Sequence, residues 1–210
     1  MDKKPILIIG TGAQAKYALE IFHLTDRQVV GLLNIAGELS QKKIDSVKIL
    51  GVTDDFEKYY FEFDKPEILI SCSSNRHKEQ LHKSLVTYDP VYTNAIHPRA
   101  IIARTSKIGS GVIINANAVV QPFATIGSHV MIHAGSIVEH DCIIGDFVNI
   151  APNATITGHV KLKKGVTIYA GAVISPTIEV GSYSIVGAGS VVLKNIKKET
   201  LVIGSPATKK

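Results

Sequence analysis

Hydrophobic positions in the second half of the chain repeat every six residues. From residue 102 to residue 192, an aliphatic residue stands at every sixth position without an insertion, and the residue two places before each is small or β-branched. A helix has a period of 3.6 and a strand a period of two, so neither alone explains this pattern. A hexapeptide repeat is typical of a parallel β-helix, in which each repeat contributes one short strand and a turn. The sixteen positions are Ile102, Ile108, Ile114, Val120, Ile126, Ile132, Val138, Ile144, Ile150, Ile156, Leu162, Ile168, Ile174, Val180, Val186 and Val192.

The repeat predicts a triangular coil of three hexapeptides, so residues 18 apart are expected to stack on one another. One such column contains Gly109, Gly127, Gly145 and Gly181, and only Lys163 interrupts it. Glycine suits a corner that needs a positive φ or a close backbone approach. Apolar residues on the outward faces (Phe123, Met131 and Phe147) are expected to be exposed in a monomer, which favours assembly through these faces.

The first part of the chain has a different pattern. Strands are predicted at residues 5–9, 28–33 and 67–72, and helical spacing appears in residues 15–22 and again in residues 75–86. Strands that alternate with helices indicate a parallel α/β sheet. Two prolines, Pro90 and Pro98, flank a short extended stretch. We therefore expect two domains, residues 1–98 and residues 99–210.

A glycine turn joins the first strand to the first helix. The segment Gly10-Thr11-Gly12-Ala13-Gln14-Ala15 has the form G-x-G-x-x-A, which resembles the phosphate-binding turn of a Rossmann-like unit. Asn34 stands where a dinucleotide-binding unit usually has an acidic ribose ligand, so the pattern does not favour a nicotinamide cofactor. The alternative interpretation is a tight turn with only a packing role.

Composition excludes several classes of protein. Charged residues make up 20% and hydrophobic residues 45% of the 210 residues, which is not the composition of a disordered chain. The net charge is +5, but the lysines are scattered and form no basic stripe with aromatic residues between them, so nucleic acid is not an expected partner. Cys72 and Cys142 lack disulfide or metal-site spacing, which favours a reducing compartment and a cytoplasmic location. The apolar run near the amino terminus is too short for a membrane span.

His140 is the residue that most resembles a catalytic group. It stands at a predicted corner, directly before Asp141, and an imidazole beside a carboxylate can act as a general base. A solvated corner is the alternative interpretation of this pair. Cys142 is expected to point inward as a packed, inert thiol.

Three further histidines of the repeat region raise the possibility of a zinc site between subunits, as in γ-class carbonic anhydrases. These are His129, His133 and His159. The spacings along the four histidines are four, seven and nineteen residues. Those enzymes instead have one pair five residues apart and a distant third histidine, so no metal is expected.

Several motifs together resemble a known family. The segments IVEHDCIIGD (137–146), IAPNATITGHV (150–160) and VIGSPATKK (202–210) are similar to bacterial hexapeptide acyltransferases. The group concerned contains the sialic acid O-acetyltransferases and the nucleotide-4-amino-sugar N-acetyltransferases. The resemblance extends to IIGTGAQAK (8–16), ILISCSSNRHK (68–78) and IHP (96–98), and so covers nearly the whole chain.

The resemblance implies a fold, an assembly and a set of site residues. The fold is a small Rossmann-like parallel α/β domain followed by a left-handed parallel β-helix, and the assembly is a homotrimer with active sites at its subunit interfaces. His140 matches the catalytic base and Asp141 its acidic partner. The resemblance assigns acetyl-CoA contacts to Asn149, Ala170 and Ala188, and acceptor contacts to Gly12, Ala13, Gln14, Asn34 and His133.

The chain departs from the family pattern at three of these places. Gln14 replaces a common histidine, Leu33-Asn34 replaces an acidic pair, and His133 replaces a common asparagine. Asn149 likewise stands where these enzymes often carry a second histidine.

The function implied is acetyl transfer from acetyl-CoA to the amino group of a nucleotide-linked deoxy sugar, as a step of bacterial surface-glycan biosynthesis. The first alternative is O-acetylation of a sialic acid, which would use the same base. The second is a non-catalytic assembly or carbohydrate-binding module built on the same repeat. Neither alternative requires a metal.

Overall fold

A computed structural model describes residues 4–35 and 42–210, and the chain divides into two compact units, Met1–Ala95 and Ile96–Lys210. The boundary predicted at residue 98 lies slightly later in the chain. No helix within the described ranges is long and apolar enough to cross a membrane.

The described residues of the first unit form five strands and three α-helices. Short 3-10 turns at Thr53–Asp55 and Val86–Tyr88 follow β4 and α3. The elements are β1 (Ile6–Ile9), α1 (Ala13–Leu24), β2 (Val29–Asn34), β3 (Lys43–Ile44), β4 (Val47–Val52), α2 (Phe56–Glu62), β5 (Glu67–Ile70) and α3 (Asn75–Leu85).

These strands form one sheet with the order β3-β4-β2-β1-β5. Strands β4, β2, β1 and β5 are parallel, and only β3 runs antiparallel to its neighbour. The predicted parallel sheet is therefore confirmed, and its three predicted strands correspond to β1, β2 and β5. Strand order reverses beside β1, because β2 and β4 lie on one side of it and β5 on the other. In open parallel sheets, ligands bind at the carboxyl ends of the strands that flank such a reversal.

Burial in this unit follows the hydrophobic pattern. All four residues of β1 are buried, as expected for a central parallel strand covered on both faces. Helix α1 buries the residues that its spacing predicted, including Ala15, Ala18, Leu19 and Phe22. Strand β4 and helix α2 were not predicted, because Lys48 and Gly51 interrupt the apolar run of β4 and α2 has only seven residues.

The second unit consists of very short strands separated by turns. They form three sheets that are parallel except for the final strand, with the orders β22-β19-β16-β13-β10-β7, β20-β17-β14-β11-β8 and β24-β23-β21-β18-β15-β12-β9-β6. The strands are β6 (Ala95–Ile96), β7 (Ile101–Ile102), β8 (Lys107–Ile108), β9 (Ile113–Ile114), β10 (Val119–Val120), β11 (Thr125–Ile126), β12 (Met131–Ile132), β13 (Ile137–Val138), β14 (Ile143–Ile144), β15 (Asn149–Ile150), β16 (Thr155–Ile156), β17 (Lys161–Leu162), β18 (Thr167–Ile168), β19 (Val173–Ile174), β20 (Glu179–Val180), β21 (Ile185–Val186), β22 (Val191–Val192), β23 (Leu201–Ile203) and β24 (Thr208–Lys209).

The register confirms the predicted 18-residue coil. Each strand of the repeat pairs with the strand three places later in the chain. Val120 therefore lies beside Val138, and Val138 beside Ile156. All the repeat aliphatics from Ile114 to Val192 are buried in one continuous core, and Ile102 and Ile108, at the start of the first coil, are half-buried. The predicted hexapeptide-repeat β-helix is confirmed. Stacking explains this burial, because a single repeat has no partner surface for its own aliphatic residue.

The glycine column serves close backbone approach. A Cβ at Gly109 would lie 2.7 Å from the carbonyl carbon of Gly127, and a Cβ at Gly145 would lie 2.8 Å from the backbone nitrogen of Lys164. Positive φ occurs instead at other corner residues, with values from 57° at Tyr183 to 71° at Gly135. Of the two reasons offered for this column, only close approach holds.

Two of the three apolar residues expected to be exposed are buried. Phe123 is 64% exposed as predicted, but Met131 is fully buried and Phe147 is 4% exposed. The ring of Phe147 stacks on His129, with 5.1 Å between centroids, and the ammonium group of Lys164 lies 5.5 Å from its centroid. Residues 129 and 147 are 18 apart, so their side chains meet between adjacent coils.

We predict that Gly145→Ala destabilises the repeat unit by about 1–3 kcal/mol, because the new methyl group overpacks against the backbone of the next coil. The matched control is Lys163→Ala at the same corner one coil later, where the chain already carries a Cβ. That control removes only a half-exposed ion pair between Lys163 and Glu179, which typically contributes 0–1 kcal/mol. Urea unfolding followed by circular dichroism compares the variants, and equal midpoints would contradict the prediction.

Candidate active site

The corner between β13 and β14 brings His140 and Asp141 together. Nδ1 of His140 lies 2.8 Å from Oδ2 of Asp141, and the two side chains are 51% and 43% exposed. Asp141 has a φ of 58°, a conformation that aspartate adopts more readily than most residues. When Nδ1 donates its proton to the carboxylate, Nε2 is unprotonated and able to accept a proton from a substrate. The arrangement therefore has the parts of an oriented general base.

Gly158 makes space for this imidazole. It lies one coil after His140, and a Cβ there would be 2.7 Å from Nε2 and 2.8 Å from Cε1 of the ring. Glycine at this position therefore allows the ring to pack over the backbone of the next coil.

His159 lies beside the carboxylate of the same pair. Its Nε2 is 3.9 Å from Oδ2 of Asp141, and its ring is perpendicular to that of His140 with 5.2 Å between centroids. From the sequence, His159 was considered only as a zinc ligand, and no zinc site was expected. Its separation of 18 residues from Asp141 is the signal that places it next to Asp141 in the stack.

Asn149 and His133 form a second polar pair. Nε2 of His133 lies 3.1 Å from Oδ1 of Asn149, and both residues are half-buried. His133 follows β12, and Asn149 opens β15, the next strand in the same sheet. The two residues that depart from the family pattern in the repeat unit are thus direct neighbours.

Small residues leave the backbone accessible farther along the same sheet. Ala170 follows β18 and Ala188 follows β21, and both are exposed. Each is followed by a glycine, Gly171 or Gly189, at which an added Cβ would meet nothing within 4 Å. A ligand can therefore approach the backbone closely at this corner.

A cavity with several lysines lies at the carboxyl-terminal end of the repeat unit. Its volume is about 380 Å³, and Lys194, Lys197 and Lys209 line it together with apolar residues such as Val202. Such a lining favours an anionic ligand.

Cys142 has the character of a packed thiol. It is fully buried, and its thiol donates a hydrogen bond to the carbonyl oxygen of Thr157 at 3.0 Å. Burial raises the pKa of Cys142 to about 11, so the reactive thiolate is scarce at neutral pH. The prediction that Cys142 points inward as a packed thiol is confirmed.

The two glycines of the turn in the first unit have different structural roles. Gly10 has a φ of 119°, and a Cβ there would lie 2.5 Å from the carbonyl oxygen of Ser71. Gly12 is the N-cap of α1, is exposed, and has open space around its Cβ position. Among the described residues no side chain caps the helix, and its first turn has no acidic residue, so its amino-terminal N–H groups are available to an anion.

The other residues predicted at this turn differ in exposure. Ala13 is exposed, whereas Gln14 is 4% exposed, and its Oε1 has no hydrogen-bond partner in the described part of the chain. Asn34, at the end of β2, accepts a hydrogen bond from Oγ1 of Thr11 at 2.7 Å. Asn34 thus ties the end of β2 to the glycine turn.

The repeat unit matches a known family model. The bacterial transferase hexapeptide model, described as six repeats, matches residues 123–158 and 159–194. Among curated protein sequences, none matches the chain significantly.

Solved structures resemble the chain over nearly its whole length. PerB from Caulobacter crescentus, solved in complex with CoA and GDP-perosamine, is 26% identical, with a TM-score of 0.92 over 98% of this chain and 97% of that chain. The acetyltransferase domain of PglB from Neisseria gonorrhoeae FA1090, solved with acetyl coenzyme A, is 25% identical, with a TM-score of 0.90 over all of both chains. WeeI from Acinetobacter baumannii AYE is 23% identical, with a TM-score of 0.85 over 98% of this chain and 99% of that chain, and shows the fold alone. The predicted resemblance to the hexapeptide acyltransferases is confirmed.

Proposed function

We propose that the protein is an acetyl-CoA-dependent N-acetyltransferase that acts on the amino group of a nucleotide-linked deoxy sugar. The observation that carries this proposal is the hydrogen-bonded His140–Asp141 pair at an accessible corner of a hexapeptide coil. Two relatives support it, because PerB was solved with CoA and GDP-perosamine and the PglB domain with acetyl coenzyme A. These ligands favour an amino sugar over a sialic acid hydroxyl as the acceptor.

In the proposed reaction, Nε2 of His140 accepts a proton from the sugar amine as its nitrogen attacks the thioester carbonyl. Asp141 holds the ring through Nδ1 and stabilises the imidazolium that forms. A backbone N–H of the coil stabilises the oxyanion. When the tetrahedral intermediate collapses, the bond from carbon to sulfur breaks, and CoA leaves as a thiolate or, with a proton, as a thiol. No covalent enzyme intermediate or metal is required.

Acetyl-CoA is assigned to the repeat unit. Exposed Ala170 and Ala188 leave the backbone open to the pantetheine arm, and the amide of Asn149 would contact the acetyl thioester. The lysine-lined cavity of about 380 Å³ suits the phosphates of the cofactor. The hydrogen bond from His133 to Asn149 would fix the orientation of that amide.

The acceptor is assigned to the glycine turn and, at its sugar end, to His133. The proposed Rossmann-like first unit would bind the nucleotide diphosphate at the open amino terminus of α1, with contacts from Gly12, Ala13 and Gln14. Because Gln14 is buried, its contribution would come through its backbone N–H. Asn34 would contact the ribose or base from the end of β2.

A homotrimer with left-handed coils is part of the same proposal. Several large apolar side chains of the repeat unit are exposed in the single chain, including Ile101 at 64%, Phe123 at 64% and Ile143 at 50%. Exposed apolar side chains of this kind favour subunit contacts. The proposed setting is the bacterial cytoplasm, in surface-glycan biosynthesis.

Replacing the base gives a direct test of the mechanism. We predict that His140→Ala lowers kcat by about 10²–10⁴, the usual effect of losing a general base, while melting temperature and acetyl-CoA affinity change little. Asp141→Asn should cost less, because the imidazole is still present. Steady-state kinetics and calorimetric binding measure these quantities together. If His140→Ala retains more than roughly a third of the wild-type kcat when chemistry limits turnover, His140 is not the base.

The glycine turn can be tested separately from the chemistry. We predict that Gly12→Val raises the acceptor KM and leaves the acetyl-CoA KM nearly unchanged, because the added side chain occupies open space where the phosphate would sit. Glu20→Val, an exposed substitution farther along α1, is the control and should change neither constant. Equal effects of Gly12→Val on both KM values would indicate that the turn is only structural.

Light scattering tests the assembly. The wild-type protein is expected to be a trimer at micromolar concentration, and Phe123→Asp should shift it towards monomer by placing a charge in an apolar contact. Aspartate tolerates the positive φ of 62° at this position, so the fold should persist. Phe61→Asp removes a similarly exposed ring from α2 and should leave the trimer intact. A stable wild-type monomer would contradict active sites at subunit interfaces.

A further inference from the structure

We propose that His140, Asp141 and His159 form a binding site for a divalent cation of the zinc class, which blocks the catalytic base when it is occupied. In the described part of the chain, this is the one group in which three potential metal ligands each offer an atom within 4.8 Å of the others. Such a site differs from a cofactor site, since the proposed acetyl transfer needs no metal.

The distances are close to those that zinc requires. In a tetrahedral site with bonds of about 2.0–2.2 Å, the ligand atoms lie about 3.4 Å from one another. Oδ2 of Asp141 is 2.8 Å from Nδ1 of His140 and 3.9 Å from Nε2 of His159. These two separations need to change by only about half an ångström, the ligand atoms of the two histidines lie within 4.8 Å of one another, and a water molecule can supply the fourth ligand.

The stacked coils hold these ligands in place. Asp141 and His159 are 18 residues apart, have nearly the same φ values of 58° and 60°, and lie at equivalent corners of adjacent coils. Hydrogen bonding between coils continues at this corner, where the backbone N–H of His159 donates to the carbonyl oxygen of His140 at 3.1 Å. The backbone positions of the ligands are thus fixed before a cation arrives. The spacing of nineteen between His140 and His159 looked unsuitable in the sequence, but it equals one coil plus one residue.

The site is accessible and chemically suited to zinc within one chain. The side chains are 51%, 43% and 59% exposed for His140, Asp141 and His159. Two imidazoles and one carboxylate are common zinc ligands, and the resulting ligand set has an open position.

Occupation of the site would remove the base from the reaction. A cation binds the lone pair of Nδ1, so the ring proton, which Nδ1 now donates to Asp141 in a hydrogen bond, moves to Nε2. Nε2 then has no lone pair with which to accept a proton from the substrate. The inhibitory consequence rests on the proposed function, whereas the binding of the cation does not.

Calorimetric titration with zinc sulfate tests the binding directly. One zinc ion per chain is expected for the wild-type protein, and His159→Asn should weaken its affinity at least tenfold. Asparagine suits the positive φ at this corner, so the variant should keep its fold, which its melting temperature verifies. The control is His23→Asn, which removes an exposed imidazole near the end of α1 and should leave zinc binding unchanged. Equal affinities for wild type and His159→Asn, or no binding at all, would overturn the proposal.

Two further measurements separate the proposed cation site from the proposed acetyltransferase activity. Cobalt chloride should give the visible absorption of tetrahedral Co²⁺ with wild type and His23→Asn but not with His159→Asn, independently of activity. In acetyl-transfer assays that detect the product by mass spectrometry, which avoids zinc binding to a thiol reagent, His159→Asn should be active and at least tenfold less sensitive to zinc. Loss of zinc binding without a change in zinc sensitivity would show that inhibition occurs elsewhere and would overturn the blocking role.

Discussion

The stacking of coils is the constraint on which the second unit depends. A hexapeptide carries one aliphatic residue that it cannot bury by itself, and burial follows only when coils lie on one another in an 18-residue register. Every repeat aliphatic from Ile114 to Val192 is buried in this way. The same register fixes the outward residues, because a shift by a single residue would exchange inward and outward positions. Columns of side chains at the corners are therefore a consequence of core packing.

The candidate active site is made from these columns. His140 lies over Gly158, which leaves space for the ring, and Asp141 lies over His159, whose imidazole reaches the vicinity of the carboxylate. The His133–Asn149 pair likewise joins two neighbouring coils, here beside the adjacent strands β12 and β15. Rigid parallel strands thus hold polar groups at fixed separations. A reaction between two cosubstrates depends on such fixed positions.

Much of this arrangement could be predicted from the sequence, since strict periodicity is a strong signal. The coil length, the inward aliphatics, buried Cys142 and three of the strands in the first unit followed from spacing and residue type. The burial of Phe147 could not, because it depends on an outward ring stacking on His129 in the adjacent coil. Proximity of His159 to Asp141 was implicit in the 18-residue period, yet linear spacing between histidines concealed it. In the first unit, the local pattern does not identify β4, whose apolar run is interrupted, or α2, which is short. Pairing with β2 stabilises β4, and α2 buries Phe56 and Tyr60 in the core of the unit.

The central claim is that acetyl-CoA donates its acetyl group to an amine on a nucleotide-linked sugar. The most direct measurement incubates the protein with acetyl-CoA and a panel of nucleotide-linked amino sugars and free sialic acids. Thiol release gives the rate, and mass spectrometry with hydroxylamine treatment gives the type of bond formed. The account predicts a hydroxylamine-stable amide on at least one nucleotide-linked amino sugar and no transfer to sialic acid. A hydroxylamine-labile ester on sialic acid, or no acceptor-dependent thiol release with any member of the panel, would contradict it.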